Sequence, residues 1–387
     1  MAQARGMMGK WAGSVARVAP GLALAALLAW LSEWASGFFG QTVLGFERSP
    51  ISAVTVAILL GLLIGNLLRL PAWLAPGLSL AVKKVLRLGI ILLGLRLSLF
   101  DLFRLGLTGV PIVIVCILAA LFLADRLSRR LGLPARLGTL IGVGTSICGV
   151  SAIVATGPAI EARDEEVAYA VAVITVFGIA ATLVYPYIAY AIFAGDPVRA
   201  GLFLGTAIHD TSQVTGAGMA LADLCYDTRA LDVATVTKLV RNVFMAAVIP
   251  WMAIRHMRQS ARAGAQLAQD AGSRAGFWQL FPQFVLGFVL LAGVRTLGDA
   301  GVRGMAGFGG RALGLWGAGG WQAAHAAVTT WASYLLTVAL AAVGLSTRFA
   351  DLRGLGIKPF LVGLGAAFAV GLVSVGAILL LGAAGAC

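Results

Sequence analysis

The chain has 387 residues, of which 60% are hydrophobic and only 12% charged. A soluble domain carries about 25% charged residues, so an ordinary soluble protein is excluded and most of the chain belongs in lipid. The formal net charge of +13 does not point to nucleic acid. The basic residues fall in short segments between apolar stretches, where they orient a membrane protein, and no basic block is interleaved with aromatics.

Apolar segments of the length that a helix needs to cross a bilayer recur along the chain, and the alternation of a β-barrel strand is missing. The pattern predicts an all-α polytopic membrane protein of about eleven transmembrane helices. Their approximate spans are 18–39, 50–68, 86–104, 106–126, 137–159, 167–195, 200–221, 233–254, 277–296, 326–347 and 357–384. The stretch from Val18 to Phe39 is too long for a signal-peptide core and reads as a retained first helix. Residues 72–85 read as a short interfacial helix that leads Lys83 and Lys84 into the third span. The Gly-rich region 298–320 is compatible with a loop, a short amphipathic helix or a further partial span. The whole, 1–387, reads as one integral membrane transport domain, with 1–45 as an N-terminal extension that carries the first helix and 46–387 as the core.

Loop charges give an orientation. Residues 125–136 hold Arg126, Arg129, Arg130 and Arg136 against Asp125, and 255–274 hold Arg255, Arg258, Arg262 and Arg274 against Asp270, net +3 each. Residues 348–358 hold Arg348, Arg353 and Lys358 against Asp351, net +2. Residues 161–166 are net −3 and residues 223–232 net −2. Loops rich in Lys and Arg stay cytoplasmic. The alternation of sign suits eleven crossings with a cytoplasmic N-terminus and a periplasmic C-terminus, in a multi-pass protein of the bacterial inner membrane.

Two polar runs interrupt the apolar pattern. They are Gly144-Thr145-Ser146-Ile147-Cys148-Gly149-Val150-Ser151 and, sixty-one positions on, Gly205-Thr206-Ala207-Ile208-His209-Asp210-Thr211-Ser212. Both read Gly-Thr-x-Ile-x-x-x-Ser. Loose backbone is tolerated at membrane depth only where it is buried in protein or lines a cavity. A glycine-rich break within 139–158 exposes amide N–H groups that attract an anion at one end and carbonyls suited to a cation at the other. The bland reading is a close-packed helix interface, where small residues are enriched anyway. Thr145, Ser146, Cys148, Gly149 and Ser151 are therefore candidate substrate ligands, with Thr206, Ser212 and Gln213 from the second run. His209 and Asp210 are adjacent ionisable residues within a predicted span, and such residues are functional suspects; the alternative is a structural hydrogen-bonded pair. Lys238, Arg241 and Asn242 share one helix face at i, i+3, i+4 spacing. A buried guanidinium suits oxyanions through forked hydrogen bonds, which gives Arg241 an anion-binding or charge-balancing role, with Asn242 beside it; snorkelling to headgroups is the plainer reading, more for Lys238 than for Arg241. Gly94-Leu95 and Asp101-Leu102 match Gly344-Leu345 and Asp351-Leu352, 250 positions apart, as a faint inverted repeat. Thr329, Thr330 and Ser333 mark a candidate second discontinuous helix. The four cysteines, Cys116, Cys148, Cys225 and Cys387, lack metal-ligand spacing, and the three histidines are scattered.

The runs from Leu86 to Leu97, from Gly144 to Gly149 and from Gly205 to Val214, together with Lys238 to Asn242 and Leu340 to Lys358, resemble the YeiH-like sulfate exporter family. The resemblance covers nearly all the chain after about residue 45. It implies a fold like the bile-acid symporters and sodium/proton antiporters, an inverted-repeat bundle with broken, crossing helices. It also implies export of sulfate, sulfite or a taurine-like sulfonate. Many members carry His-Glu where this chain has His209-Asp210, so a carboxylate is kept, shorter by one methylene.

The expectation is a secondary transporter of a small oxyanion or organosulfonate, working by alternating access, with binding around Ser146–Ser151 and Arg241 and with coupling by His209, Asp210 and Lys238. The partners would be a small anionic substrate and membrane lipid, with no nucleic acid, and a homodimer is left open. No cofactor or metal is expected beyond a coupling H+ or Na+. A proton- or sodium-coupled carboxylate transporter or antiporter is the alternative. An intramembrane enzyme that uses Cys148 or Ser146 with His209 is a remote one, and the chain is read as not an enzyme.

Overall fold

A computed structural model describes residues 2–43, 52–262, 283–304, 310–348 and 356–383. Among them the structure is helical, apart from an isolated bridge between Ala312 and Trp316. Among the described residues seven helices are long and apolar enough to cross a membrane: Ala16–Gly37, Leu99–Arg130, Glu165–Ile192, Arg229–Arg258, Gln283–Val302, Ala318–Ser346 and Ile357–Leu381. The chain is a polytopic helical membrane protein. It divides into two compact units, Met1–Leu99 with Leu286–Ala350, and Phe100–Val285 with Asp351–Cys387.

The first unit holds α1 (Ala2–Gly37), α2 (Ala53–Leu67), α3 (Ala75–Leu80), α4 (Leu86–Leu93) and, from late in the chain, α13 (Gln283–Val302) and α14 (Ala318–Ser346). Glycines set its packing distances. Gly21 of α1 faces Gly77 of α3, and Gly61 of α2 faces Gly344 of α14, so closely that a Cβ at any of the four would strike the opposing backbone. Small residues let membrane helices approach in this way. The first helix is thus packed into this unit, and the extension boundary placed at 45/46 lies outside the described residues. Residues 72–85 are helical and lead Lys83 and Lys84 directly into α4, as expected. A 3-10 turn at Ala72–Leu74, α3, a π-helical turn at Ala81–Val85, α4 and a 3-10 turn at Gly94–Arg96 follow one another without interruption. The chain then breaks at Leu97 and restarts at Leu99, so the boundary predicted at 104/106 falls several residues earlier. Around Thr329 and Thr330, α14 is unbroken, and both hydroxyls bond to carbonyls one turn back, His325 O and Ala326 O. Of the region 298–320, residues 305–309 lie outside the described set; α13 runs to Val302 and α14 starts at Ala318. The 250-residue repeat finds little structural echo. Gly94 is in a turn against Phe288, whereas Gly344 is inside a helix against Ile58. Asp351 and Leu352 lie outside the described residues.

The second unit holds α5 (Leu99–Arg130), α6 (Ala135–Ser146), α7 (Val150–Ala159), α8 (Asp164–Ile192), α9 (Pro197–Ala207), α10 (Thr211–Cys225), α11 (Arg229–Val243), α12 (Met245–Arg262) and α15 (Ile357–Ala383). Its organisation corrects the predicted topology. A straight helix over 136–161 would put its ends about 38 Å apart at 1.5 Å per residue. Instead Arg136 Nη2 lies 3.5 Å from Glu161 Oε2, and a Cβ on Gly144 would lie 2.7 Å from Ile153 Cδ1. So α6 and α7 fold back on each other about a tip at Ile147–Gly149.

The second polar run behaves likewise, with α11 as the ruler. A Cβ on Gly201 of α9 would lie 2.8 Å from Ala230 O, and one on Gly205 would lie 2.8 Å from Ala234 O. On α10, Gly218 meets Leu231 and Ala234, and Thr211 accepts a hydrogen bond from Asn242. Thus α9 runs parallel to α11 and α10 antiparallel to it. These two helices form a second hairpin with its tip at Ile208–Asp210. Neither 137–159 nor 200–221 is a through-going span, and the crossing broken helices expected from the family resemblance are hairpins.

The hairpins approach each other along α8, which is about 43 Å long at 29 residues. Going up α8, Val167 and Ile174 pack on Gly157 and Gly144 of the first hairpin. Gln213 of the second hairpin fills the space left open by Gly178. Tyr185, and Phe193 just past the end of α8, pack at a tilt against Phe203, with centroids 5.1 and 6.1 Å away. The two tips therefore meet near the middle of α8, with their feet at its opposite ends. Asp125 at the end of α5 pairs with Arg255 of α12 at 3.0 Å, at the same end as the Arg136–Glu161 pair. The segments 125–136, 161–166 and the end of α12 share one end of the unit, so the predicted alternation of sign between the first two is not kept. Their opposite charges instead neutralise each other across the foot of the hairpin.

A thiol-accessibility experiment distinguishes hairpins from spans. In a background with Cys225 and Cys387 replaced by Ser, Arg136→Cys and Glu161→Cys are expected to react with an impermeant maleimide from the same side of the membrane, and Asp227→Cys from the other. Labelling of positions 136 and 161 from opposite sides would overturn the hairpin.

Candidate functional site

The two tips repeat one local plan with one substitution. In the first, α6 ends at Ser146, and Gly149 N–H closes the turn on Gly144 O at 3.1 Å. Gly149 has φ +65 and ψ −122, a conformation that side-chain-bearing residues avoid. In the second, α9 ends at Ala207, and Asp210 begins α10 as its N-cap. Asp210 Oδ1 accepts from Ser212 N–H at 2.8 Å and from Ser212 Oγ at 2.6 Å, and Gln213 Oε1 accepts from Asp210 N–H at 3.1 Å. This is a capping box, which satisfies otherwise orphaned donors at a helix start. The sixty-one-residue offset aligns Ile147 with Ile208, Gly149 with Asp210 and Ser151 with Ser212. The first hairpin has a glycine where the second has its capping carboxylate, and Asp210 Oδ2 would lie 3.4 Å from a Cβ at Gly149. One carboxylate thus stands beside the starts of both returning helices.

The opposite ends of the tips expose the last carbonyls of α6 and α9, each group carrying roughly half a negative charge from its helix dipole. Two side chains of α11, both 0% exposed, take them up. Lys238 Nζ donates to Ile147 O at 2.6 Å, to Ile208 O at 3.0 Å and to His209 O. Arg241 donates through Nε to Ser146 O at 2.7 Å, through Nη1 to Thr206 O at 2.7 Å and Ile208 O at 2.9 Å, and through Nη2 to Thr145 O. An ammonium has three protons and a guanidinium five N–H donors, so Lys238 is saturated and Arg241 has one donor left. The cations therefore bridge the two hairpins through backbone carbonyls.

This changes what the named residues contribute. Thr145 and Thr206 hydroxyls bond back to their own helices, at Ile141 O and Leu202 O, and Ser146 Oγ bonds to Val143 O. Cys148 Sγ faces Met245 Sδ at 3.6 Å. The carbonyls of Thr145, Ser146 and Thr206 are what Arg241 takes up. Gln213 is held in the capping box, and Asn242 Nδ2 donates to Thr211 Oγ1 at 3.0 Å. His209 is 1% exposed, and neither ring nitrogen meets a hydrogen-bond partner in the protein. Asn242 Oδ1 and Thr237 Oγ1 are likewise buried without a partner. Buried polar atoms are normally paired, so these unpartnered atoms make the tips the candidate site. Ser151 is exposed, while Val150, Asp210 and Thr211 are half-buried; they form the accessible rim. The sequence reading missed Ser374 of α15, whose Oγ lies 2.6 Å from Thr206 Oγ1. Its signal was a polar residue in the middle of a 27-residue apolar helix.

Lys238→Met leaves Ile147 O and His209 O without their cationic donor and Ile208 O with Arg241 alone, at about 1–3 kcal/mol for each uncompensated carbonyl. Lys238→Met and Arg241→Met should each lower the melting temperature of the purified protein by roughly 5–15 °C, whereas Ser151→Ala should leave it within about 2 °C. A normal melt for Arg241→Met would show that its carbonyl bonds are not structural.

Among known proteins, the model of the family described as Conserved hypothetical protein 698 matches residues 20–363. A UPF0324 membrane protein of Pseudomonas aeruginosa is 32% identical over 366 residues, covering 90% of this chain and 90% of its own length. One from Fusobacterium nucleatum is 30% identical over 372 residues, covering 94% and 98%. One from Streptococcus agalactiae is 34% identical over 278 residues, covering 72% and 77%. No solved structure matches the chain. With a family model spanning most of its length and relatives similar almost end to end, the chain belongs to the Conserved hypothetical protein 698 family of membrane proteins.

Proposed function

We propose that this protein is a secondary transporter of a small oxyanion or organosulfonate, with the meeting point of the two hairpin tips as the substrate site. The observation that carries the reading is the charge balance there. Lys238 and Arg241 are fixed into the carbonyl ends, Asp210 is the carboxylate at the returning ends, and the helix-end dipoles cancel in pairs, which leaves a net single positive charge. The start of α7 has no capping side chain of its own, and exposed Ser151 lies in its first turn. An anion seated there would meet amide N–H groups and hydroxyls, as in the discontinuous helices of secondary transporters. Asp210 and His209 would serve coupling to H+ or Na+. The reading makes Arg241 a charge-balancing rather than a direct anion-binding group.

Two hairpins related by the sixty-one-residue offset and entering from opposite ends support an inverted-repeat architecture. They reduce the eleven crossings to nine and leave the N-terminus cytoplasmic and the C-terminus periplasmic in a bacterial inner membrane. Export of sulfate, sulfite or a taurine-like sulfonate is the direction and class that the YeiH-like resemblance favours. A carboxylate substrate is the second reading, favoured because the Asp210 carboxylate itself already occupies the space beside Gly149. An enzymatic reading draws little support, since Ser146 and Cys148 engage Val143 O and Met245 Sδ and neither is hydrogen-bonded to His209.

Proteoliposomes loaded with radiolabelled sulfate, sulfite, taurine or a small carboxylate, under pH or sodium gradients, test the proposal. Flux of at least one anion is expected, cut by about tenfold or more in Ser151→Ala, as for loss of one hydrogen bond to a charged group. In Asp210→Asn the flux should no longer respond to the driving gradient. No flux of any of these anions, under either gradient, would sink the transport reading.

A further inference from the structure

A second polar cavity lies within the same unit, away from the tips, at the foot of the first hairpin. It has a volume of about 410 Å³ and is walled by the end of α5, the start of α6 and the end of α12. Asp125, Ser128, Arg129, Thr139, Arg255 and His256 supply its polar lining, and Leu133 and Met252 part of its apolar lining. Two features mark it as built for a ligand. Ser128 is 3% exposed, and its hydroxyl finds no partner in the protein; His256 Nε2 is also buried without one. Two guanidiniums share a single carboxylate, with Asp125 lying 3.2 Å from Arg129 Nε and 3.0 Å from Arg255 Nη2. The nearest further pair, Arg136 with Glu161, is already balanced. The pocket therefore carries one uncompensated positive charge, unused hydrogen-bonding groups and a small apolar wall.

We infer that this cavity binds a phosphate- or sulfate-type oxyanion, either free or as the headgroup of an anionic lipid. Arg129 and Arg255 face it with charge, Ser128 Oγ donates to one oxygen, and His256 Nε2 completes the set. Forked guanidinium contacts suit this tetrahedral geometry. A volume of this size lies within the range of small-ligand sites. Because Gly138 of α6 forms one wall and Met252 of α12 another, the bound anion ties the foot of the first hairpin to α12, the helix that follows α11 and its Lys238 and Arg241. The site is separate from the proposed substrate site and does not depend on transport.

The test is thermal melting of the purified, delipidated full-length protein titrated with inorganic sulfate or phosphate against chloride at matched ionic strength, with native mass spectrometry of the protein before delipidation. A free-anion site gives a saturable rise in melting temperature with sulfate or phosphate. A headgroup site gives an anionic phospholipid retained through purification. Either should be weakened about tenfold or more in Arg255→Gln and in Ser128→Ala, partly kept in Arg255→Lys, and unchanged in Thr330→Ala, an exposed position of the first unit. A response that is equal in wild type and Arg255→Gln, or the absence of both the anion effect and a retained anionic lipid, would overturn the inference. Each variant is compared with its own anion-free melt, so a general loss of stability cannot mimic the loss of the site.

Discussion

The second unit depends on one set of contacts: two cations of α11 shared among the last carbonyls of two facing helix tips. A helix that stops at membrane depth leaves unpaired carbonyls in a medium with nothing to offer them. Most proteins avoid the problem by running the helix through. Here two helices stop, and the ends are placed so that one ammonium and one guanidinium reach both at once. The cations in turn are tolerable at 0% exposure because the carbonyl ends return the electrostatic stabilisation that water would give. Neither half of the arrangement is stable without the other, which is why the charge of Lys238 and Arg241 is better explained by the backbone than by a substrate.

The consequence for chemistry lies on the other side of the tips. With the carbonyl ends neutralised, the field at the rim is set by the starts of α7 and α10 and by Asp210. The repeated sequence plan would give each start its own cap, but a glycine at position 149 and an aspartate at 210 give one carboxylate to two helices. That glycine provides the backbone freedom for the turn and stands in van der Waals reach of the carboxylate. The balance at the rim is therefore easily changed by adding an anion or by neutralising Asp210.

Much of this was legible in the sequence, though not its geometry. The membrane class followed from composition, and the two Gly-Thr-x-Ile-x-x-x-Ser runs, read as interruptions of spans, contain both tips. The spacing of Lys238, Arg241 and Asn242 correctly put them on one face. What misled was length. Hairpin segments of 25 and 29 residues, 135–159 and 197–225, have the apolarity and size of single spans, and hydropathy does not record a reversal of direction. The acidic 161–166 segment then looked like a loop on the far side, because the positive-inside rule treats charge as a marker of sides and not as a partner; Glu161 in fact answers Arg136. At Thr145, Ser146 and Thr206 the sequence drew attention to the hydroxyls, whereas the contacts to the cations are made by the carbonyls. Sequence displays side chains, and at these positions the working atoms are carbonyl oxygens that every residue owns. Ser374 was missed because a lone serine in an apolar helix has no neighbours in sequence to advertise it.

The order of elements along the chain has a consequence for biogenesis. Both hairpins, ending at residue 225, are synthesised before Lys238 and Arg241. During that interval the carbonyls at Thr145–Ile147 and Thr206–His209 have no cation to receive, and a hairpin pushed to its final depth would carry them bare into hydrocarbon. The nascent hairpins are thus stable only at the interface, where water satisfies them. They sink to their final depth when α11 enters beside them, so that insertion of a single helix late in translation locks two earlier elements at once.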